Sequence, residues 1–156
     1  MDFDDEENNS FGLNSDELSK EQAEFMRIYN MPVMIKANDI LDLIRAIGAS
    51  MRDDYDIRID GTRETMRIEG LDLVAYIERA ECRATYSDKM ECAVAARFQI
   101  RNIIENLEVS ERFDYINKDY IDILLEDIDE FKPIFRAWVK SFDKSDIYDD
   151  GWGLWV

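Results

Sequence analysis

Asp88-Lys89-Met90-Glu91-Cys92-Ala93-Val94-Ala95-Ala96-Arg97-Phe98-Gln99-Ile100-Arg101-Asn102-Ile103-Ile104-Glu105-Asn106-Leu107 is the stretch on which the fold turns. Ala93, Ala96, Ile100, Ile103 and Leu107 recur at spacings of three and four, which stacks them on one face of a helix, and Val94, Phe98 and Ile104 widen that face. Asp88, with Glu91 three residues on, predicts where the helix begins. So broad an apolar arc must be covered on two sides, by helices of its own bundle or by another subunit. The stretch therefore predicts a helical bundle that is also a homo-oligomer, with Val94, Phe98 and Ile104 at the subunit interface.

Toward the N-terminus, Ala37, Ile40, Leu41, Ile44, Ile47, Gly48 and Met51 predict a helix after Pro32. Gly70, Leu73, Val74, Ile77, Ala80 and Ala84 predict another, with Gly70 its weak point. Between them, Asp53 to Gly61 alternates as a strand would, but a lone hairpin has no sheet to join. That segment is read as a loop entering the helix through Thr62 as N-cap, with Glu64 in the first turn. Ser19 and Gln22 have capping-box spacing and predict a short helix over about 19–29, ending before Pro32. Downstream, Asn117 is the expected cap of a final helix whose seam is Ile121, Leu124, Ile128, Phe131, Phe135, Trp138 and Phe142, kinked at Pro133.

Six Gly and two Pro in 156 residues suit helices with short connections. The expected fold is all-α: an antiparallel four-helix bundle over 19–142. Residues 1–18 form an acidic lead-in, read as disordered, with isolated Phe3, Phe11 and Leu13. Residues 143–156 form an acidic tail ending in an apolar hook.

The net charge is −17 and sits mainly at the two ends. Residues 1–17 carry seven acidic side chains and no basic one, whereas 62–112 is near balance. Such ends repel nucleic-acid phosphate and suit a basic protein partner. Histidine is absent, which removes the usual neutral-pH acid/base and the commonest metal ligand. With neither a secretory leader pattern nor a long apolar run, the expectation is a soluble cytoplasmic protein away from membranes.

Three segments carry a family resemblance over about 33–142: Ile40-Leu41-Asp42-Leu43-Ile44; Leu73-Val74-Ala75-Tyr76-Ile77-Glu78-Arg79-Ala80 turning into Ala93-Val94-Ala95-Ala96-Arg97-Phe98; and Ile128-Asp129-Glu130-Phe131 with Ala137-Trp138-Val139. The chain resembles the four-helix-bundle family of the proteins encoded in intervening sequences of bacterial large-subunit rRNA genes and the accessory variability protein of diversity-generating retroelements. The resemblance implies a non-enzymatic bundle that forms rings, pentameric in the known cases, and an accessory that docks a reverse transcriptase and its RNA. Those relatives are basic where this chain is acidic. Any nucleic-acid contact it implies would rest on Arg79, Arg83, Arg97 and Arg101.

Each of those arginine pairs has i, i+4 spacing, so it offers two guanidinium groups from one face; the blander reading neutralises them with Glu78, Glu81 and Glu105. Cys82 and Cys92 lie equally far from Ser87 and meet across the turn of a helical hairpin, either as reduced thiols or as a disulfide. Two thiols without histidine fall short of a zinc site. Glu78-x-x-Glu81 and Glu105-x-x-Glu108 have spacing similar to that of all-α nucleotide pyrophosphohydrolases that hold magnesium between helices, though the closing pair is displaced to Glu126-x-x-Asp129. In an acid-rich chain such pairs also arise by chance. Trp152, Leu154 and Trp155 form a hook that either folds back on the bundle or enters a partner.

The expected function is that of a non-enzymatic, oligomeric binding or scaffold protein that recruits a protein partner, with no cofactor, no metal and no catalytic residue. The alternatives are an acidic nucleic-acid mimic that occupies a basic protein and, further off, a magnesium-dependent pyrophosphohydrolase.

Overall fold

The computed structural model describes residues 15–52 and 56–155. Residues 1–14 of the lead-in, residues 53–55 of the strand-like stretch and residue 156 lie outside the described residues, whereas residues 15–18, read as disordered, are helical. Five helices follow in order: α1 (Ser15–Tyr29), α2 (Pro32–Ser50), α3 (Ile57–Glu81), α4 (Tyr86–Arg112) and α5 (Lys118–Lys140). No strand occurs among the described residues. None of the helices is long and apolar enough to cross a membrane.

α2 through α5 pack as a helical bundle around one core. The most extensive interface is α3 on α4, followed by α2 on α3 and α2 on α5, and α4 on α5 is the least extensive of these four seams. All seven apolar positions read on α2 are buried, as are Ala93, Ala96, Ile100, Ile103 and Leu107 of α4. On α5, Ile121, Leu124, Ile128, Phe131 and Trp138 are buried, and the helix runs as one element through Pro133. Ala84 lies past the end of α3 and is exposed, so it leaves the seam.

The cap of α3 lies six residues before the expected one. Asp56 accepts the Arg58 N–H at 2.9 Å, whereas the Thr62 hydroxyl donates to the Arg58 carbonyl at 2.8 Å from inside the helix. What sets the longer helix is a repeat the alternation hides: Ile59, Met66, Leu73 and Ala80 are seven apart and all buried. Ile57, the other half of the strand-like pattern, is exposed.

Gly70 does not interrupt α3. It lies directly under α2, since a Cβ there would meet Leu41 Cδ1 at 3.0 Å and Ile44 Cδ1 at 3.1 Å. At the far end of α2, the Arg63 guanidinium donates from Nε to the Gly48 carbonyl at 2.9 Å. A cation thus meets the negative end of the helix dipole.

α4 starts two residues earlier than Asp88 suggests, because Thr85 Oγ1 takes the Asp88 N–H at 3.1 Å. Asn117 caps α5 as expected, accepting the Asp119 N–H at 2.9 Å. α1 begins at Ser15, earlier than 19, and Pro32 opens α2 at a position where its missing N–H costs nothing. Ile28 is the only buried residue of α1, so this helix hangs on the bundle by its C-terminal turn.

Two polar clamps join distant helices. Lys36 of α2 donates to Asp127 and Glu130 of α5, each at 2.7 Å. Glu81 of α3 accepts from Arg27 of α1 at 3.0 Å and from Trp138 Nε1 of α5 at 2.8 Å.

Candidate functional site, a cation-rimmed groove between α4 and α5

The α4/α5 seam, the least extensive of the four that join α2 to α5, opens into a groove of about 740 Å³. α5 supplies two adjacent rows at i, i+4 spacing: Phe131, Phe135 and Val139 along the floor, and Lys132, Arg136 and Lys140 along the edge. α4 supplies Ile100 and Ile104 to the floor and Arg97 and Arg101 to the opposite edge, with Glu105 and Glu108 at one end.

The floor is stiffened from beneath by an aromatic ladder. Ring centroids lie 5.5 Å apart for Phe131 and Phe135, 5.3 Å for Phe135 and Trp138, and 4.9 Å for Trp138 and Phe142. The bond from Trp138 to Glu81 fixes the ladder to α3. Five cations against two carboxylates make this rim locally positive in a chain of charge −17. Arg101 is paired with Glu105 at 3.0 Å and Lys132 with Asp129, whereas Arg97, Arg136 and Lys140 form no ion pair among the described residues.

The residues read as an oligomer interface are divided by this groove. Ile104 lies in its floor, while Val94 and Phe98 stand outside the rim, 56% and 54% exposed, one turn from Arg97 and Arg101. The four arginines do not share one face. Arg97 and Arg101 border the groove, and Arg79 and Arg83 sit on the α3 flank of α4 in a smaller cavity of about 340 Å³ with Tyr76, Asp88, Glu91 and Cys92. There the Arg79 guanidinium lies 5.0 Å above the Tyr76 ring.

Cys82 is exposed and Cys92 buried, both as free thiols; burial pushes the Cys92 thiol above its ordinary pKa, partly offset by Arg83. The carboxylates read as a magnesium box are dispersed: Glu81 is held by Arg27 and Trp138, and Glu105 by Arg101. Among the described residues, no group of three or more His, Cys, Asp or Glu side chains is placed to hold a metal ion.

The tail runs back over the start of α4. The Asp146 carbonyl accepts the Tyr86 N–H at 2.8 Å, Tyr148 N–H donates to Ser87 Oγ at 2.9 Å, and Trp155 Nε1 donates to Glu91 at 3.0 Å. Trp155 also sets its ring edge-on to Tyr86, 6.2 Å between centroids. Trp152 and Leu154 remain exposed, at 82% and 69%. The hook is therefore split between a docked tryptophan and two outward-facing side chains.

The basic row of α5 and the floor residue Val139 were missed in the sequence. The signal was present as two i, i+4 rows side by side, but nothing in the sequence says that α4 and α5 stand apart. No protein-family model, curated protein or solved structure matches the chain.

Proposed function

We propose that this chain is a non-catalytic, oligomeric binding or scaffold protein of the cytoplasm, and that the α4/α5 groove is its working surface. The observation that carries the reading is an apolar trough of helical length, edged by arginines and lysines, in an otherwise acidic molecule. Such a trough suits an amphipathic helix whose apolar stripe fills the floor and whose acidic flanks meet the rim. A partner with an acidic amphipathic segment replaces the basic partner expected from net charge alone. The short links after α3 and α4 support an antiparallel four-helix arrangement for α2 to α5. Kinship with the rRNA-intervening-sequence and retroelement-accessory bundles belongs to the same reading, with exposed Val94 and Phe98 available to a subunit contact.

Fluorescence anisotropy with labelled helical peptides tests the groove. A peptide with Leu and Phe at i, i+4 and i+7 and Glu on both flanks binds the wild-type chain saturably. It binds on the order of tenfold more weakly to Phe135→Glu and to the exposed-site double variant Arg97→Glu/Arg136→Glu. Lys-flanked versions bind worse than Glu-flanked ones. If neither peptide binds, or binding survives both variants, the groove is not a helix-docking site.

A further inference from the structure

A second apolar surface fits this groove in size and in charge. α1 exposes Leu18, Phe25 and Met26 on one side, and Phe25 stacks on Tyr29 with 4.2 Å between ring centroids. Leu18, Phe25 and Met26 stand at i, i+7 and i+8, the pattern of a helix laid into a trough, and Tyr29 at i+11 packs partly against the core of its own bundle. The exposed stripe from Leu18 to Met26 spans eight residue steps, about 12 Å at helical rise, and fits within the α4 wall from Arg97 to Glu108, eleven steps or about 16 Å. Charge complements as well. Glu21 borders the stripe one turn from Leu18 and Phe25. α1 carries four acids, Asp16, Glu17, Glu21 and Glu24, against Lys20 and Arg27, with Arg27 paired to Glu24 at 2.7 Å, whereas Arg97, Arg136 and Lys140 of the rim have no ion pair among the described residues.

The chain's own groove is not the place for its own α1. Burial of Ile28, the Arg27–Glu81 pair and the two-residue link before Pro32 pin the C-terminal turn of α1 to the bundle. Held there, it leaves Leu18, Phe25 and Met26 exposed.

We infer that the groove is occupied by α1 of a second copy of this chain, in a contact where one copy donates a helix and the other receives it. The inference rests on the groove being a helix-docking site and names its occupant. A donor face meeting a different acceptor face is heterologous, so every copy carries one of each, and the two can be disabled separately.

Mixing two defective variants exploits that separation. Leu18→Glu/Phe25→Glu changes only exposed positions and ruins the donor; Arg97→Glu/Arg136→Glu changes only exposed positions and ruins the acceptor. By light scattering at about 100 µM, the wild-type chain is expected to self-associate. Each variant, with unchanged helical circular dichroism, is expected to be monomeric, or to associate on the order of tenfold or more weakly. A 1:1 mixture restores a complex through its one intact donor and one intact acceptor, and raising salt to about 1 M weakens it because the rim charges are screened. A wild-type monomer, association that survives either variant, or variants that fail to rescue each other would each overturn the inference. The Glu-flanked peptide separates the two levels. If the wild-type chain is a monomer yet still binds that peptide in the groove, the docking site stands and only the second copy as its occupant falls.

Discussion

The α2/α3 seam is closed around Gly70, with a cavity of about 390 Å³ only toward Gly48 and Arg63, and the α4/α5 seam opens into a groove of about 740 Å³. Along α2 and α3, Gly70 lets the backbones approach until the Leu41 and Ile44 side chains lie at contact distance, and Leu73 and Ile77 are wholly buried beneath them. Along α4 and α5 the same helical spacing places Phe131, Phe135 and Val139 opposite Ile100 and Ile104, yet a groove remains. A small residue at the crossing allows α2 and α3 to approach closely; large aromatics and long cations keep α4 and α5 apart. Apolar periodicity therefore marks a face that must be covered without saying whether the cover comes from the same chain.

The largest test of that contrast is Leu73→Ala. Removing a fully buried side chain on the closed side should lower unfolding free energy by about 2–5 kcal/mol in urea titrations. Retention of wild-type stability would mean that this side is loosely packed. Next comes Gly70→Val, which forces atoms against Leu41 and Ile44 and should cost about 1–3 kcal/mol despite better helix propensity. A neutral result would show that α2 and α3 can separate as α4 and α5 do.

An effect of about 1 kcal/mol in the opposite direction is expected for Glu69→Gln. Glu69 is buried at the α3/α4 interface, where both carboxylate oxygens accept from the single Asn106 Nδ2, at 3.0 and 2.9 Å, and it forms no ion pair among the described residues. Burial holds its pKa above the ordinary value, an effect the Asn106 bond opposes and the charges of Glu105 and Asp72 reinforce. The folded state thus binds this proton more tightly than the unfolded chain. Its stabilising contribution is complete below the unfolded pKa near 4.5 and is lost as pH rises through the folded value. Glu69→Gln should therefore raise Tm at pH 7, with the gain shrinking toward pH 4. A gain independent of pH would point away from the buried charge.

The smallest effect is expected on the open side. Phe98→Ser should change monomer stability by about 0.5 kcal/mol or less, because the ring is half in solvent. A larger loss would mean that Phe98 is covered by its own chain.

Much of the framework was legible in single residues. Ala37 to Met51, Ala93 to Leu107 and Ile121 to Trp138 announced their buried faces because amphipathic helices carry their core positions at a fixed period, and Asn117 announced its cap. Less legible was the start of α3. There Ile57 and Ile59 imitate a strand until Met66 and Leu73 extend the heptad backward. Of the groove, the sequence offered Arg97, Arg101 and Ile104 for other reasons, and Lys132, Arg136 and Lys140 not at all. Glu81 was read as a neutraliser of the nearby arginines or as half of a carboxylate pair, since its partners Arg27 and Trp138 lie 54 and 57 positions away.

By itself, then, the sequence determined the helices, their buried faces and the strongly acidic charge, because each depends on neighbours within a few turns or on simple counts. Tertiary structure alone decided which pair of helices closes and which stands open, where the few cations gather, and that α1 presents its apolar stripe to solvent. Those outcomes depend on distances between residues far apart in the chain, and local spacing does not encode them.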